Sequence, residues 1–345
     1  MRVDALSPLP GFCASEKQMK ISIIDFDGKL PNLALMKIST FYKKQGAKIY
    51  FGNVPKDADK VYCSVLFSWN KDKAAVLKDY YENIEFGGTG WNIKKTLPEE
   101  IERCTPDYDL YPLEEIYRRT CGGIGKKSTK LKKAMIIKNM GLGFTSRGCC
   151  RKCHFCLVPR KEGKLRQVAE VKDIINPGSG SNVVTLLDNN LTADPYALDK
   201  LKEIKDLGLT VDISQGIDIR LINEDLARAL SEVRHLRSLH YAWDLPDHEE
   251  SVINGINLLS RFIKTRRHMC FMLVGFNSSF EEDMYRFRRL VELKVDPYIM
   301  VYNKKPDIRL KHFARWVNGR IYKKCSWDEY EPWIKAQQQE QLLFA

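Results

Sequence analysis

Six short runs of apolar and β-branched residues recur in the later part of the chain, and this alternation constrains the fold most. About 25 to 40 residues with helical patterns separate successive runs, which predicts consecutive βα units with parallel strands. Six such units suit a partial (β/α)6 barrel of the TIM type, with its chemistry at the carboxyl ends of the strands. The runs are Gly143–Ser146, Val183–Leu187, Val211–Ser214, Leu239–Trp243, Met269–Val274 and Tyr298–Tyr302.

The first part of the chain has the pattern of a smaller parallel sheet. Apolar runs at Lys20–Asp25, Lys48–Phe51 and Lys60–Phe67 predict strands, and Leu33–Gln45 has the spacing of a helix. Strand, helix and strand joined by short connections indicate a Rossmann-like parallel sheet. The predicted fold class is therefore α/β, with this sheet ahead of the barrel.

The 345 residues suit about two domains with short extensions. We expect a tail over 1–18, the Rossmann-like domain over 19–115, a Gly- and Lys-rich linker over 116–137, the barrel over 138–320 and a C-terminal tail or helix over 321–345.

The net charge of +12 is concentrated in one segment. From Cys121 to Arg166 there are thirteen Lys and Arg residues and one acid, Glu162, so the rest of the chain sums to about zero. The sequence contains neither a secretory signal nor an apolar run of membrane-spanning length. We therefore expect a cytoplasmic protein whose ten cysteines are reduced, some of them as metal ligands.

Four cysteines fall within that basic segment, in Thr145-Ser-Arg-Gly-Cys149-Cys150-Arg-Lys-Cys153-His-Phe-Cys156. The spacing of Cys149, Cys153 and Cys156 lets a loop wrap three thiolates around one face of a 4Fe–4S cluster, which leaves one iron open to a small molecule. Nearby Arg and Lys are expected to lower the thiol pKa values. Cys150 is interpreted as a bystander.

Two other interpretations of the cysteines stay open. A structural zinc site would use four of the Cys and His residues here, but adjacent Cys149 and Cys150 do not readily face one tetrahedral ion, and no second Cys/His pair follows at zinc-finger distance. Inert buried thiols are the other alternative. Cys63 and Cys270 lie in apolar runs and are expected in the core, whereas Cys104, Cys121 and Cys325 lie in polar contexts.

Polar residues follow the predicted strands where a barrel places its site. They are Asp188, Asn189, Asn190, Gln215, Asp218, Asp244, Gly275 and Asn303. For these residues the alternative is a helix cap or a hydrogen bond between loops, and for Gly275 a turn.

The Cys-x3-Cys-x2-Cys motif after a first barrel strand, with Phe155 before the last cysteine, resembles the radical S-adenosylmethionine (radical SAM) superfamily. The lead-in Thr145-Ser-Arg-Gly-Cys149 is similar to the branch that carries a cobalamin-binding-type domain ahead of the barrel. The resemblance covers about Met19 to Asn318. It implies that Cys149, Cys153 and Cys156 bind a 4Fe–4S cluster whose open iron binds SAM, and that one electron cleaves SAM to a 5′-deoxyadenosyl radical that abstracts a substrate hydrogen.

The resemblance also implies roles around SAM. Phe155 would lie near the adenine, and Gly275 would allow its close approach. The motif for the SAM amino group falls on Asp188, Asn189 and Asn190, which depart from the family's usual Gly-Gly-Glu. The ribose and carboxylate contacts fall on Gln215, Asp218 and Arg220, with Arg220 suited to the carboxylate. The residues that act on the substrate are unknown, and the electron donor would be a flavodoxin or a ferredoxin.

Cobalamin itself is not favoured. The family's base-off motif is Asp-x-His-x-x-Gly, and here the loop has Asp27 at the histidine place and Leu30 at the glycine place. The glycine-rich loop Gly87–Gly90 could cradle a phosphate, but such a cluster alone is weak support. We expect a domain kept for architecture or substrate binding.

The basic segment favours a nucleic acid or nucleotide substrate over a peptide or a small metabolite. Two other interpretations of this segment stay open: a docking site for an acidic reductase, and a solvated lysine-rich loop.

A second patch over Lys304–Lys324 mixes basic residues with Phe313, Trp316 and Tyr322, which would either stack on bases or form the buried face of a terminal helix. Other functions left open are a cobalamin-dependent methyltransferase and a non-catalytic metal-binding nucleic-acid module. The oligomeric state is undetermined.

Overall fold

Strands and helices alternate through the described part of the chain, as the sequence pattern predicts. The computed structural model describes residues 18–120, 122, 126–302 and 307–335. The chain divides into two units, unit 1 over 1–130 and unit 2 over 131–345. Parallel sheets occur in both units, so the mixed α/β class is confirmed.

Unit 1 is built on a four-stranded parallel sheet in the order β2-β1-β3-β4. Its elements are β1 Lys20–Asp25, α1 Leu33–Lys44, β2 Lys48–Phe51, β3 Lys60–Ser64, α2 Lys71–Ala75, β4 Ile84–Gly87, α3 Glu99–Glu102 and α4 Leu113–Thr120. Strand β1 is central, and its Ile21 and Ile23 are fully buried. Asn32 begins α1, because its side chain accepts hydrogen bonds from the N–H groups of Ala34 and Leu35.

The segment predicted as a linker is largely helical. Helix α4 continues to Thr120, and α5 covers Lys127–Asn139. The predicted linker over 116–137 thus contains the end of α4 and most of α5, because Lys, Leu, Ala and Met after the glycines are good helix formers. Its role as a linker stays a prediction. The predicted strand Lys60–Phe67 ends at Ser64. The predicted tail over 1–18 lies outside the described residues except for Gln18.

Unit 2 has strands that coincide with the five later predicted runs to within two residues, whereas the first run, Gly143–Ser146, is broken at 144–145 and shares only Gly143 with β5 and Ser146 with β6. Its remaining elements are β5 Gly141–Gly143, β6 Ser146–Arg147, α6 Val158–Lys161, β7 Arg166–Gln167, β8 Val183–Leu186, α7 Ala197–Asp206, β9 Thr210–Ile213, α8 Glu224–Glu232, β10 Arg234–His235, β11 Leu239–Ala242, α9 Glu249–Ser260, β12 His268–Val274, α10 Phe280–Glu292, β13 Asp296–Val301 and α11 Ile308–Asn318.

Two parallel sheets make up the strand framework of unit 2. One has the order β10-β9-β8-β5 and the other β11-β12-β13, with a parallel bridge between Ile217 and Tyr241. Four helices connect paired parallel strands, as expected of βα units: α7 between β8 and β9, α8 between β9 and β10, α9 between β11 and β12, and α10 between β12 and β13. The closure of these strands into a partial barrel stays a prediction.

The C-terminal aromatic residues belong to the core of unit 2. Phe313 and Trp316 on α11 are 0% and 4% exposed, and Tyr322 packs against the same core. Of the two interpretations of the second basic patch, the buried helix face therefore holds for these aromatics. Lys304, Lys305 and Asn303 lie outside the described residues.

Candidate metal centre

The four clustered cysteines lie on one loop that connects β6 to α6. Strands β6 and β7 pair antiparallel, so the chain leaves and returns at neighbouring backbone positions. Gly148 opens the loop with φ +88°, and a Cβ there would lie 2.3 Å from the carbonyl oxygen of Lys164. Only glycine allows this approach, which brings the Cys149 N–H within 3.3 Å of the Gly163 carbonyl oxygen.

Three of the four thiols are partly shielded from solvent. Cys149, Cys153 and Cys156 are half-buried, whereas Cys150 is exposed. The Cys149 sulfur accepts hydrogen bonds from the Arg151 backbone N–H at 3.3 Å and from the Asn190 side-chain amide at 3.5 Å. Hydrogen bonds to ligand sulfurs stabilise thiolates and tune the potential of iron–sulfur clusters.

Burial raises the pKa of the Cys153 and Cys156 thiols. The Arg220 guanidinium opposes this rise at Cys153, and the Val158 backbone N–H opposes it at Cys156. The expectation that basic neighbours would lower the thiol pKa values is therefore wrong for these two cysteines, because desolvation outweighs the positive charges. A bound metal would supply the charge that stabilises their thiolates.

The three thiols are the donor type that binds iron–sulfur clusters. In the described ranges, no three His, Cys, Asp or Glu side chains converge as ligands of a single metal ion. In a cubane, each thiolate would bind a different iron atom of one compact cluster. Cys149, Cys153 and Cys156 are nevertheless close enough to influence one another electrostatically.

Asp188, which follows β8, holds the entry to the cysteine loop. It is 0% exposed. Its carboxylate accepts hydrogen bonds from the backbone N–H groups of Thr145 and Ser146 at 2.7 and 2.9 Å, from the Ser146 hydroxyl at 2.8 Å and from the Thr145 hydroxyl. Three of these bonds are to Oδ2 and one is to Oδ1, and the buried Lys200 ammonium lies 4.0 Å from Oδ2. The contact that the structure shows is therefore a hydrogen bond between loops, one of the alternatives open for this residue.

The next two residues also contact the cysteine loop. The Asn189 side-chain oxygen accepts a hydrogen bond from the Gly148 N–H at 2.9 Å. The Asn190 oxygen caps the following turn by accepting from the Ala193 N–H at 3.2 Å, while its amide donates to Cys149. The three polar residues after β8 thus position the loop that carries the cysteines.

Asp218, after β9, links the cysteine loop to a second loop. Its carboxylate accepts from the Arg151 Nε at 2.9 Å and from the Arg220 Nε and Nη2 at 2.7 and 3.0 Å. Although burial favours protonation, the two guanidinium groups hold the pKa of Asp218 below its ordinary value. The Nη1 of Arg220 lies 3.0 Å from His248 Nδ1. Arg220 is thereby fixed close to Cys153.

The remaining predicted contacts lie on turns after β9 and β12. Gln215 is exposed in the turn that contains Gly216. Gly275 follows β12 with φ +73°. The Gly275 backbone lies within hydrogen-bond reach of the Asp283 carboxylate on α10, so a buried side chain supports this turn.

Asp244 lies close enough to Cys153 and Cys156 to affect them electrostatically. The sequence analysis named this residue but gave it no role. Burial raises its pKa to about 6, and the nearby Arg286 and Arg220 oppose that rise. Arg286 is 1% exposed and donates to the Trp243 and Leu273 carbonyl oxygens at 2.6 and 2.8 Å. Asp244 follows a strand, which is a readable signal, but a buried arginine on α10 has no sequence signature.

Three aromatic rings form a contiguous chain beside the cysteine loop. The Phe155 ring lies 5.4 Å from the Phe276 ring, which lies 4.8 Å from the Tyr302 ring, between centroids. Phe276 and Tyr302 follow β12 and β13, so rings from three loops meet. Sequence reasoning identified Phe155 and missed Phe276, for which an aromatic residue directly after a strand-end glycine was the available signal.

Asp27, which stands at the histidine place of the base-off motif in unit 1, forms hydrogen bonds to a neighbouring loop. The Asp27 carboxylate accepts from the Leu66 and Phe67 N–H groups at 2.7 and 3.1 Å and from the Asn70 amide at 3.0 Å. Asp25 is buried and accepts from the Tyr111 hydroxyl at 2.8 Å. Both carboxylates thus brace the loops at the carboxyl end of the sheet.

The glycine-rich loop after β4 packs on the loop after β3. A Cβ at Gly88 would lie 2.3 Å from the Val65 carbonyl oxygen, and one at Gly90 would lie 2.5 Å from the Phe67 backbone. The Thr89 hydroxyl donates to the Leu66 carbonyl oxygen at 3.0 Å. Close backbone packing therefore accounts for two of these glycines without a bound phosphate.

No helix within the described ranges is long and apolar enough to cross a membrane.

Comparisons with known proteins give limited similarity. No protein-family model matches the chain, and no curated protein matches it. Three crystal structures of Streptococcus suis SuiB share 14% identity with the chain: SuiB bound to precursor peptide SuiA, SuiB bound to S-adenosylmethionine, and SuiB alone. Their TM-scores are 0.38, 0.37 and 0.36, with 57%, 60% and 60% of this chain covered. The matches span little more than half of each SuiB chain, 53%, 57% and 56%.

Proposed function

We propose that this chain is a radical SAM enzyme that holds a 4Fe–4S cluster on Cys149, Cys153 and Cys156. The observation that carries the proposal is the cysteine loop itself. Three half-buried thiols lie on one short loop, and the residues that follow β8 and β9 fix that loop through hydrogen bonds and an ion pair. A loop fixed by its surroundings suits a site that keeps one iron open for a small molecule.

When bound, the cluster would pass one electron to SAM, yielding methionine and a 5′-deoxyadenosyl radical that takes a hydrogen atom from the substrate. The residues of the chain would hold the reactants and exclude water. Arg151 N–H and the Asn190 amide stabilise the Cys149 thiolate through the bonds to its sulfur.

Arg220 is proposed to bind the SAM carboxylate. A guanidinium has five N–H donors, and the contacts with Asp218 and His248 use three of them. The other two can form a pair of charge-assisted hydrogen bonds with a carboxylate. Asp218 would orient Arg220, so its part is positioning rather than direct binding.

The rest of the SAM contacts are proposed from position. Asn189 and Asn190 are the polar side chains available for the amino group, and Asp188 acts through Thr145 and Ser146, to which its oxygens are bound. Phe155 and Gly275 are proposed beside the adenine, and Gln215 beside the ribose. The basic segment around the cysteines favours an anionic substrate, a nucleic acid or nucleotide, and an acidic electron donor such as a flavodoxin or ferredoxin.

The test is anaerobic reconstitution with iron and sulfide, followed by addition of dithionite and SAM. We expect about four irons per chain and release of 5′-deoxyadenosine, measured by mass spectrometry. A variant with Cys149, Cys153 and Cys156 all changed to Ala should lose both, while Cys150→Ala should keep both.

Two outcomes would overturn the proposal. Release of 5′-deoxyadenosine from the triple variant would exclude the three cysteines, and one tightly bound zinc in place of iron would favour a non-catalytic metal-binding module. A cobalamin-dependent methyltransferase would instead yield S-adenosylhomocysteine and show corrinoid absorption, and we expect neither.

A further inference from the structure

The carboxyl edge of the sheet in unit 1 is a natural ligand position. In the order β2-β1-β3-β4, the chain moves from β1 to one side and then returns to the other side at β3. Strand order therefore reverses between β1 and β3. In open parallel sheets, ligands bind outside the carboxyl ends of strands at such a reversal. We call the segments 26–32, 65–73 and 88–95, which follow β1, β3 and β4, the edge loops; the second of them includes the first three residues of α2.

A stacked aromatic pair lies on these edge loops. The rings of Phe67 and Trp69 are 4.7 Å apart between centroids and inclined by 17°. Their exposed fractions are 41% and 54%. All six tryptophans of the chain fall within the described residues, and Trp69 is the one classed among exposed large apolar side chains. The pair thus presents flat aromatic surface to solvent at the point where a ligand is expected.

The backbone beneath the pair is held in place before any ligand arrives. The Asp27 carboxylate accepts from the Phe67 N–H, and the Asn70 amide donates to the same carboxylate on the other side of Trp69. Gly90 packs directly on the Phe67 backbone. These contacts fix the loop, so a ligand that stacks on the rings has less ordering entropy to overcome.

Lysines outnumber acids among the exposed residues of the edge loops. The exposed charged residues of the edge loops are four lysines and one acid: Lys29, Lys71, Lys73, Lys94 and Asp72. The Lys71 ammonium lies 5.4 Å from the centroid of the Trp91 ring, so this lysine is placed against the second aromatic stack of Phe86 and Trp91. The negative charge of Asp27 is already compensated by three N–H donors.

We propose that the edge loops of unit 1 bind a single-stranded nucleic acid, with a base stacked on the Phe67–Trp69 pair and neighbouring phosphates on the lysines. Every base has a flat π face, so an exposed ring pair binds bases with little sequence preference, and lysines follow the backbone charge. The patch is small and is broken by the polar residues Ser68, Asn70 and Asn92. These properties suit a nucleic acid better than a protein partner, which would need a broader apolar surface.

This binding does not depend on the cluster, because it rests on unit 1 alone. The direct test measures the affinity of the full chain for fluorescent 12-nucleotide single-stranded RNA and DNA by anisotropy. Trp69→Ala removes one base stack and should weaken binding about 5- to 150-fold. Trp69→Phe, which keeps a ring, should recover most of that affinity. Tyr196→Ala serves as the matched control, since Tyr196 is an equally exposed aromatic residue, 55%, in unit 2.

Two further measurements separate stacking from general attraction to positive charge. An oligonucleotide of abasic sugar–phosphate units should bind the wild type more weakly than a normal strand, and Trp69→Ala should remove that difference. The double change Lys71→Gln and Lys73→Gln should reduce the slope of log K against log salt by about 1.4, which is about 0.7 for each phosphate that a lysine no longer neutralises. Repeating the series in the triple cysteine variant should give the same values, so failure here is distinguishable from failure of the cluster proposal.

The proposal is overturned if Trp69→Ala binds the strands as tightly as Tyr196→Ala does, or if abasic and normal strands bind the wild type equally. It is also overturned if cob(II)alamin binds with a dependence on Trp69 while the oligonucleotides do not, because the ring pair would then serve a corrin.

Discussion

The carboxyl ends of parallel strands are used in opposite ways in the two units. In unit 2, Asp188 and Asp218 follow neighbouring strands and direct their carboxylates inward, onto the cysteine loop. In unit 1, Asp27 follows a strand in the same way, but its carboxylate braces a loop whose Phe67 and Trp69 rings face solvent. The same topological position thus holds a polar, half-buried site in one unit and an exposed aromatic surface in the other.

The difference shows what each edge needs. A loop proposed to carry metal ligands must hold its half-buried thiols in place, and hydrogen bonds to charged groups supply that restraint. A surface for a flat ligand needs only a fixed backbone beneath exposed rings, which the packing of Gly88 and Gly90 supplies. Stability should therefore depend strongly on the polar residues at the first edge and weakly on the rings at the second.

The largest expected effect comes from Asp188. Changing Asp188→Asn replaces an acceptor of four hydrogen bonds by a group that adds its own donors, in a site without exposure to solvent. We expect the free energy of unfolding to fall by about 3 to 5 kcal/mol, as for the removal of one partner of a buried charged network. Urea denaturation measures this change.

Asp199→Asn provides the control, because Asp199 is exposed on α7 in the same βα unit. Its effect should stay within about 0.5 kcal/mol. Hydrogen exchange at the Thr145 and Ser146 amides should accelerate in the Asp188 variant alone. If the Asp188→Asn variant were as stable as the control, the hydrogen bonds of Asp188 to Thr145 and Ser146 would not be what holds the cysteine loop in place.

Local patterns predicted the elements well. Lys20–Asp25 and Lys48–Phe51 have the predicted limits, and strands coincide with five of the six later apolar runs to within two residues. The placement of polar residues after strands could be predicted because parallel strands share a carboxyl edge. The three cysteines were readable as a group because their spacing lies within one loop.

The partners of those polar residues could not be predicted. The Asp188 carboxylate accepts hydrogen bonds from Thr145 and Ser146, which lie 43 and 42 residues earlier in the chain. These donors lie at the β6–β7 hairpin, whose pairing no local sequence pattern indicates. The rise in the Cys153 and Cys156 pKa values depends on burial, which outweighs the visible basic residues. The exposure of Trp69 and the burial of Trp316 follow from tertiary packing, and both residues lie in similar mixtures of aromatic and basic residues.

Two buried groups should respond to acid with opposite sign, His268 in unit 2 and Asp25 in unit 1. All six histidines of the chain lie in unit 2. His268 is fully buried next to the Tyr241 hydroxyl, and burial lowers its pKa to about 4. Its unfolded form binds a proton below about pH 6.5, so stability should fall as the pH drops from about 6.5 to about 4, by up to about 3 kcal/mol. In unit 1, burial raises the pKa of Asp25, whose contribution to stability instead falls as the pH rises.

Urea denaturation of wild type and His268→Gln from pH 7 to pH 4 isolates this histidine. The difference in unfolding free energy between the two proteins should shift in favour of the variant as the pH falls. Asp244, with its pKa raised to about 6, works in the opposite direction but is present in both proteins, so it cancels. A difference that is constant with pH would show that His268 titrates alike in the folded and unfolded chain.

The smallest expected effect comes from the exposed edge of unit 1. Trp69→Ala removes a half-exposed ring and its stack on Phe67, so the unfolding free energy should fall by less than about 1 kcal/mol. Trp243→Ala is the buried counterpart in unit 2, with 0% exposure, and should cost about 3 to 5 kcal/mol. Urea denaturation of both variants measures the contrast. A decrease above about 2 kcal/mol for Trp69→Ala would make the ring a structural element of unit 1, and the two edges would then resemble each other.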